Sequence, residues 1–190
     1  NASNQSTPST VALIDPSLVT FTENSSDPLC NGGNDGTISI TASGGTGSYQ
    51  YSIDGGSTYQ SNNTFSGLVA GNYDLIVQDN NGCLSTTSSI VLSDPTFVDY
   101  TATATDENCG LLDGSLTITG NGGAGTYQYS IDGGTTFQSS GSFNGLAAGN
   151  YNIVVEDALG CQGTGTETVG SSGGGSIVNI NSTDPSCNGV

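Results

Sequence analysis

Cysteine and carboxylate supply almost all the reactive chemistry in this sequence. Five Cys and seventeen Asp plus Glu stand among 190 residues that include no Lys, no Arg and no His. Four of the cysteines, Cys30, Cys83, Cys109 and Cys161, recur in a fixed order with Asp and Gly, and Cys187 follows the last of them. Paired thiols of this kind can form disulfides in an exported protein, and no CxxC clustering directs them to a metal instead. The alternative for each is a buried free thiol. Carboxylates close in sequence could hold a hard cation, and calcium is the one to consider.

The missing cations narrow the remaining classes. Catalysis would have to work with no His base, no Lys nucleophile and no cationic clamp for developing charge, so an enzyme is not expected. Nucleic acid and anionic membrane surfaces are recognised through Lys and Arg, so neither is an expected partner. No apolar run is long enough to suggest insertion into a membrane. Usual soluble composition is about 25% charged residues of both signs. Low hydrophobicity with one-sided charge can signal disorder, but apolar residues alternate cleanly here, and that pattern specifies strands.

What must position these side chains is a duplicated unit. YQYSIDGG stands at Tyr49 to Gly56 and again at Tyr127 to Gly134. Between Tyr49 to Tyr73 and Tyr127 to Tyr151, 18 of 25 positions are identical, which is duplication. The offset of the two copies sets a period of about 78 residues. Asp35-Gly36 matches Asp113-Gly114, Asp79 matches Asp157, and Cys83 matches Cys161, while Cys30 and Cys109 are 79 apart, a one-residue deletion in the second copy. STVALIDPSL near the start is similar to SSIVLSDPTF, and STDPSCNGV at the end to SSDPLCNGG. With no initiator Met or signal peptide, the chain reads as a window from a longer array. The expected divisions are 1–16, the last strand of an upstream repeat; 17–95 and 96–175, two complete repeats placed end to end; and 176–190, the first strand of a downstream repeat.

Within one repeat the alternation predicts strands at about Leu18 to Glu23, Thr37 to Ala42, Tyr49 to Asp54, Thr64 to Phe65, Tyr73 to Asp79 and Leu84 to Leu92. GGNDG, SGGTG, DGGS and DNNG separate them with Gly, Asn or Asp where a turn needs positive φ. Asp54-Gly55-Gly56 and Asp132-Gly133-Gly134 read as hairpin turns. LVAGNY and LAAGNY place Tyr73 and Tyr151 at the entrance to the most apolar strand, as in the tyrosine corner of Greek-key sandwiches, a structural place for both. The fold class is all-β, tandem immunoglobulin-like β-sandwich repeats of about 78 residues.

The site candidates follow from that frame. Equal spacing of the cysteines in both copies favours Cys30 with Cys83 and Cys109 with Cys161, each closing a loop of roughly 50 residues, worth about 4 kcal/mol in the chain-entropy model. For calcium the candidates are Asp27 and Asp35, with Asn31 and Asn34, and Asp79 in Asp79-Asn80-Asn81-Gly82. Asp106, Glu107, Asn108 and Asp113 match the first cluster only in part, and Asp157-Ala158-Leu159-Gly160 has lost two oxygens of the second. No other cofactor is expected.

The order Cys-Asn-Gly, Asp-Gly-Thr-Ile, Gly-Gly-Thr-Gly, Tyr-Gln-Tyr-Ser-Ile-Asp-Gly-Gly, Phe-Ser-Gly-Leu, Ala-Gly-Asn-Tyr, Val-Gln-Asp and Asn-Gly-Cys resembles the SprB repeat of Bacteroidetes surface adhesins. The likeness runs from Cys30 to Leu92 and from Cys109 to about Val169, with NCGLLDG and EDALGC as departures in turns. It implies a large repetitive protein exported by the type IX secretion system to the bacterial outer surface, with a role in attachment and gliding motility. Neighbouring repeats, the motility or secretion machinery and extracellular polysaccharide are then the implied partners. A glycan-binding module, with Tyr and Asn against a sugar, is the competing reading.

Overall fold

The computed structural model describes residues 17–172. The expected stubs at 1–16 and 176–190 lie outside the described residues. Among those described, all regular structure is strand, and no helix is long and apolar enough to cross a membrane.

The first repeat runs β1 (Thr20–Ser26), β2 (Gly36–Ser43), β3 (Gln50–Ser52), β4 (Thr64–Leu68), β5 (Gly71–Gln78) and β6 (Ser88–Leu92). Two antiparallel sheets result, β1-β2-β4 and β3-β5-β6. Each strand is inward on alternate residues, so Ile38 and Ile40 of β2 and Leu75 and Val77 of β5 are completely buried. With Val19, Tyr51 and Leu92 they form one core shared by both sheets. This is a β-sandwich, held by burial worth roughly 1.5–3 kcal/mol for each large side chain.

The second repeat repeats the plan. Its strands are β7 (Asp99–Thr105), β8 (Glu107–Asn108), β9 (Gly114–Asn121), β10 (Gln128–Ser130), β11 (Ser142–Leu146), β12 (Gly149–Glu156), β13 (Gln162–Val169) and β14 (Ser171–Ser172). Sheets β7-β9-β11 and β10-β12-β13 enclose Val98, Leu116, Ile118, Ile153, Val155, Cys161 and Val169. A short parallel pair, β8 with β14, is an addition that alternation does not foretell. The fold is all-β and immunoglobulin-like in each repeat.

Local chemistry explains the turns. Gly44 has φ +76°, and a Cβ there would run into the Leu18 carbonyl, so only Gly fits. The same turn is tied by the Tyr49 hydroxyl, which donates to the Gly44 carbonyl at 2.6 Å, as Tyr127 does to Gly122 at 2.5 Å. Tyr73 donates to the Val69 carbonyl and Tyr151 to the Ala147 carbonyl, both at 2.8 Å, so both are tyrosine corners. The last strand of the first repeat is shorter than alternation suggests. From Cys83 to Leu92 there is one residue more than from Cys161 to Val169, and Ser85 takes it up by receiving the Val77 amide on its hydroxyl while its own amide donates to the Val77 carbonyl.

The compact units do not divide where the repeats do. One comprises residues up to Ser26 and Gly36–Leu92; the other takes Asp27–Asp35 together with everything from Ser93 onward. The boundary near Asp94-Pro95 follows the repeat, but the segment between β1 and β2 is built into the second unit.

Candidate functional site

The segment Asp27–Asp35 is short, polar and tied down by hydrogen bonds to its own ends and to the chain after β6. Asp27 accepts the Ser93 amide at 2.9 Å, Asp35 accepts the Leu29 amide at 3.0 Å, and the Gly33 amide donates to the Cys30 carbonyl at 2.8 Å. The Asn31 side-chain amide donates to the Pro95 carbonyl and the Gly32 amide to Asp94, each at 3.0 Å. These bonds present Cys30 to the second sandwich. There it forms a disulfide with Cys161, Cα to Cα 5.5 Å, across 131 residues of sequence.

This corrects the expected pairing of Cys30 with Cys83 and Cys109 with Cys161. Cys83 is a free, exposed thiol, and Cys109 is in a disulfide whose partner is none of the other three described cysteines. The physical reason lies in the segment's membership. Cys30 leaves the first sandwich with residues 27–35, whereas Cys83 stays beside β5.

A buried carboxylate positions the second cysteine of each repeat. Asp157 accepts the Leu159 and Cys161 amides on Oδ1, both at 2.9 Å, and the Ala124 amide on Oδ2 at 2.7 Å. Burial pushes its pKa up, but the amides of Ala124, Cys161 and Leu159 outweigh this and hold it below the ordinary carboxylate value. Asp79 does the same for Asn81, Cys83 and Thr46, each at 2.9 Å, and the Cys83 amide is the chief cause of its lowered pKa. The glycine before each cysteine, Gly82 and Gly160, has positive φ and closes the turn.

The calcium candidates are thus placed in separate settings. Asp27 and Asp35 lie at opposite ends of one segment, Asp79 lies in the other unit, and each receives backbone amides. No three Cys, Asp or Glu side chains are grouped as metal ligands among the described residues. Glu107, weighed as a cation oxygen, is buried and accepts the Leu112 amide at 2.9 Å and the Ala148 amide at 2.7 Å. It also steadies Leu112, whose φ of 55° is strained for a branched residue. Glu107→Ala is expected to destabilise the second unit by about 1–3 kcal/mol for each orphaned amide. A urea melt of the variant checks this; the first unit, with Pro28 at the matching position, is expected to melt unchanged.

Asp54-Gly55-Gly56 is more than a two-residue hairpin. Asp54 accepts the Ser52 hydroxyl at 2.7 Å, the Thr58 amide at 2.9 Å and the Thr58 hydroxyl at 2.6 Å. Bonds from Thr58 first, then Ser52, hold its pKa down to about 2. Ser52, wholly buried, accepts the Gly56 amide in return at 2.9 Å. Ser130, Asp132 and Thr136 repeat the arrangement, and there too the carboxyl lies well below its ordinary value.

One polar groove remains in the first unit, lined by Ser48, Gln50, Gln78, Asp79, Asn80 and Gly82. The matching positions in the second repeat read Thr126, Gln128, Glu156, Asp157, Ala158 and Gly160.

Residues 22–58 and 101–136 both match the family model of the SprB repeat. The chain carries two SprB repeats. Each matched stretch begins in the first strand of its sandwich and ends within or just beyond the turn built on Asp54 or Asp132, so it includes Cys30 or Cys109. Cys83 and Cys161 lie beyond the matched stretches. A search of characterised proteins finds no match.

Among solved structures, the SprB-repeat chain is similar to three N-terminal domains of the Highly Immunogenic Outer Capsid protein of bacteriophage RB49. That likeness has a TM-score of 0.40 at 14% identity and covers 82% of this chain and 59% of that one. Fibronectin(III)-like modules of CbhA from Clostridium thermocellum give 0.32 at 16% identity, covering 81% and 95%. The N-terminal eight Ig domains of Down Syndrome Cell Adhesion Molecule give 0.40 at 11% identity, covering 83% and 25%. The sandwich assignment itself rests on the paired sheets and shared core of each SprB repeat.

Proposed function

We propose that this chain is a segment of an extracellular, repetitive bacterial surface protein, and that its repeats act as a structural stalk in attachment and gliding rather than as catalysts. The observation that carries the reading is the Cys30–Cys161 disulfide, which links the two SprB repeats covalently and suits an oxidising exterior. A stalk needs repeated units that resist extension, and the side chains repeated in both units support that role. Ser52, Asp54, Tyr73 and Asp79, with their counterparts, bond to their own backbone or turn. Neighbouring repeats, the secretion or motility machinery and surface polysaccharide are the partners such a stalk would meet.

The polar groove at Gln50, Gln78 and Asn80 favours a second reading, a glycan contact confined to some repeats. The test replaces these two repeats in the full-length protein by unrelated β-sandwich repeats of equal length. Attachment and gliding are expected to survive. Loss of attachment, with binding of the isolated chain on a glycan array that Gln78→Ala and Asn80→Ala abolish, would establish the groove as a ligand site and overturn the stalk reading.

A further inference from the structure

Cys83 is free, yet it stands where Cys161 stands in the next repeat. Both follow the same Asp-x-x-Gly turn, and both donate their amide at 2.9 Å to the aspartate that opens it. The second oxygen of that aspartate receives Thr46 in one repeat and Ala124, the matching residue, in the other. Matching hydrogen bonds at matching turns place the two sulfurs alike on their own sandwiches. Cys161 uses this position to bond the first cysteine of the repeat before its own, Cys30, and not Cys109 of its own repeat.

We propose that Cys83 is likewise the acceptor for the first cysteine of a repeat preceding this one in the chain. The rule is one-step: the first cysteine of each repeat bonds the second cysteine of the next. Cys109 departs from in-repeat pairing as well, since its disulfide lies with none of the described cysteines, Cys161 included. The likeness of STVALIDPSL to SSIVLSDPTF supplies the expectation of an upstream copy.

The bond forms by thiol–disulfide exchange. The Cys83 thiolate attacks a donor disulfide, carried by a small molecule or a protein of the oxidising exterior, and one donor sulfur leaves as thiolate. The upstream cysteine's thiolate then displaces the second donor sulfur. Two thiols become one disulfide, and the donor departs as a dithiol with both electrons and both protons. Overlapping staples follow. The shortest covalent route along such an array alternates a staple with the short run from a second cysteine to the next first cysteine, as from Cys83 to Cys109, instead of following the full chain.

The test uses the full-length protein alkylated on intact cells and digested without reduction. Trypsin has no site in this region, but cleavage after Asp and Glu puts Cys30, Cys83, Cys109 and Cys161 in four different peptides. The Cys83 peptide is expected to be joined to a first-cysteine peptide of an upstream repeat, and Cys83→Ser is expected to expose one new alkylatable thiol there. Alkylated Cys83, a bond from the Cys83 peptide to the Cys30 peptide, or no new thiol in the variant would overturn the proposal. A bond from Cys109 to Cys187 would overturn it too, because Cys187 aligns with the first cysteine of a repeat and not the second. So would a doubled mass on a non-reducing gel that Cys83→Ser abolishes, since that places the partner in a second chain.

Discussion

Reduction is expected to lengthen the stretched chain by about 450 Å, the 131 residues from Cys30 to Cys161 at about 3.4 Å each. Held at residues 17 and 172, the unreduced protein transmits force from Cys30 directly to Cys161, so the chain between them carries no tension. Opening the disulfide adds that chain to the load path. The observed connectivity differs measurably from pairing within each repeat. In-repeat bonds would hide two independent loops of about 50 residues each, and Cys83→Ser would release one of them. With Cys30–Cys161, Cys83→Ser is expected to change nothing in this fragment, while reduction releases the whole length. Optical-tweezer traces with and without reductant measure it; a gain of about 170 Å for Cys83→Ser, one such loop at full extension, would contradict the crossed bond. The same bond restrains the unfolded chain, by about 5 kcal/mol in the chain-entropy model for a loop this long.

The pairing shows where sequence legibility stops. Strands were readable because Ile38, Ile40, Leu75 and Val77 alternate with polar residues, and a period of two admits one inward face. The tyrosine corners were readable because a Tyr soon after Gly at a strand entrance has few other uses. Disulfide partners were not. In a tandem array the distance from a first cysteine to the second cysteine of its own repeat is as regular as the distance to that of the next, so periodicity supports both. What decides is the docking of residues 27–35, set by Asp27, Asn31 and Asp35 through backbone partners around Ser93 and Pro95. Asp79 and Glu107 were weighed as cation oxygens for a related reason. A carboxylate in a polar turn reads the same whether it faces an ion or three amides, and only the fold brings Thr46 to Asp79 or Ala148 to Glu107. The shared signal was available in part, since Asp79 and Asp157 persist while the oxygens beside Asp79 become Ala158 and Leu159.

Acid is expected to act on this chain twice, with opposite signs. Seventeen carboxylates without Lys, Arg or His leave self-repulsion uncompensated in the compact state. Protonation relieves it, so the folded state gains protons more readily than the unfolded one, and stability is expected to rise as pH falls from 7 toward about 4.5. Asp54, Asp79, Asp113, Asp132 and Asp157 run the other way. Hydrogen bonds from Thr58, Cys83, Asn108 and Thr136 are the chief causes of the lowered values at the first four, and at Asp157 amide bonds overcome the upward push of burial. These groups bind fewer protons folded than unfolded. Their contribution is therefore complete above the ordinary value near 3.8 and is lost as pH falls through the folded values, about 2 for Asp54. The melting temperature should pass through a maximum and then collapse. Salt separates the two effects, because the screening length shrinks from about 30 Å at 0.01 M to about 8 Å at 0.15 M ionic strength. Sodium chloride is expected to raise the melting temperature at pH 7 and to flatten the rise toward pH 4.5, leaving the acid collapse in place. Calcium at matched ionic strength is expected to add nothing, since Asp27, Asp35 and Asp79 already receive backbone amides. Asp54→Asn isolates one titration: the variant is expected to melt below the parent at pH 7 and to converge with it between pH 4 and pH 2. A gap that persists unchanged at pH 2 would assign the effect of Asp54 to shape and remove its charge from the account.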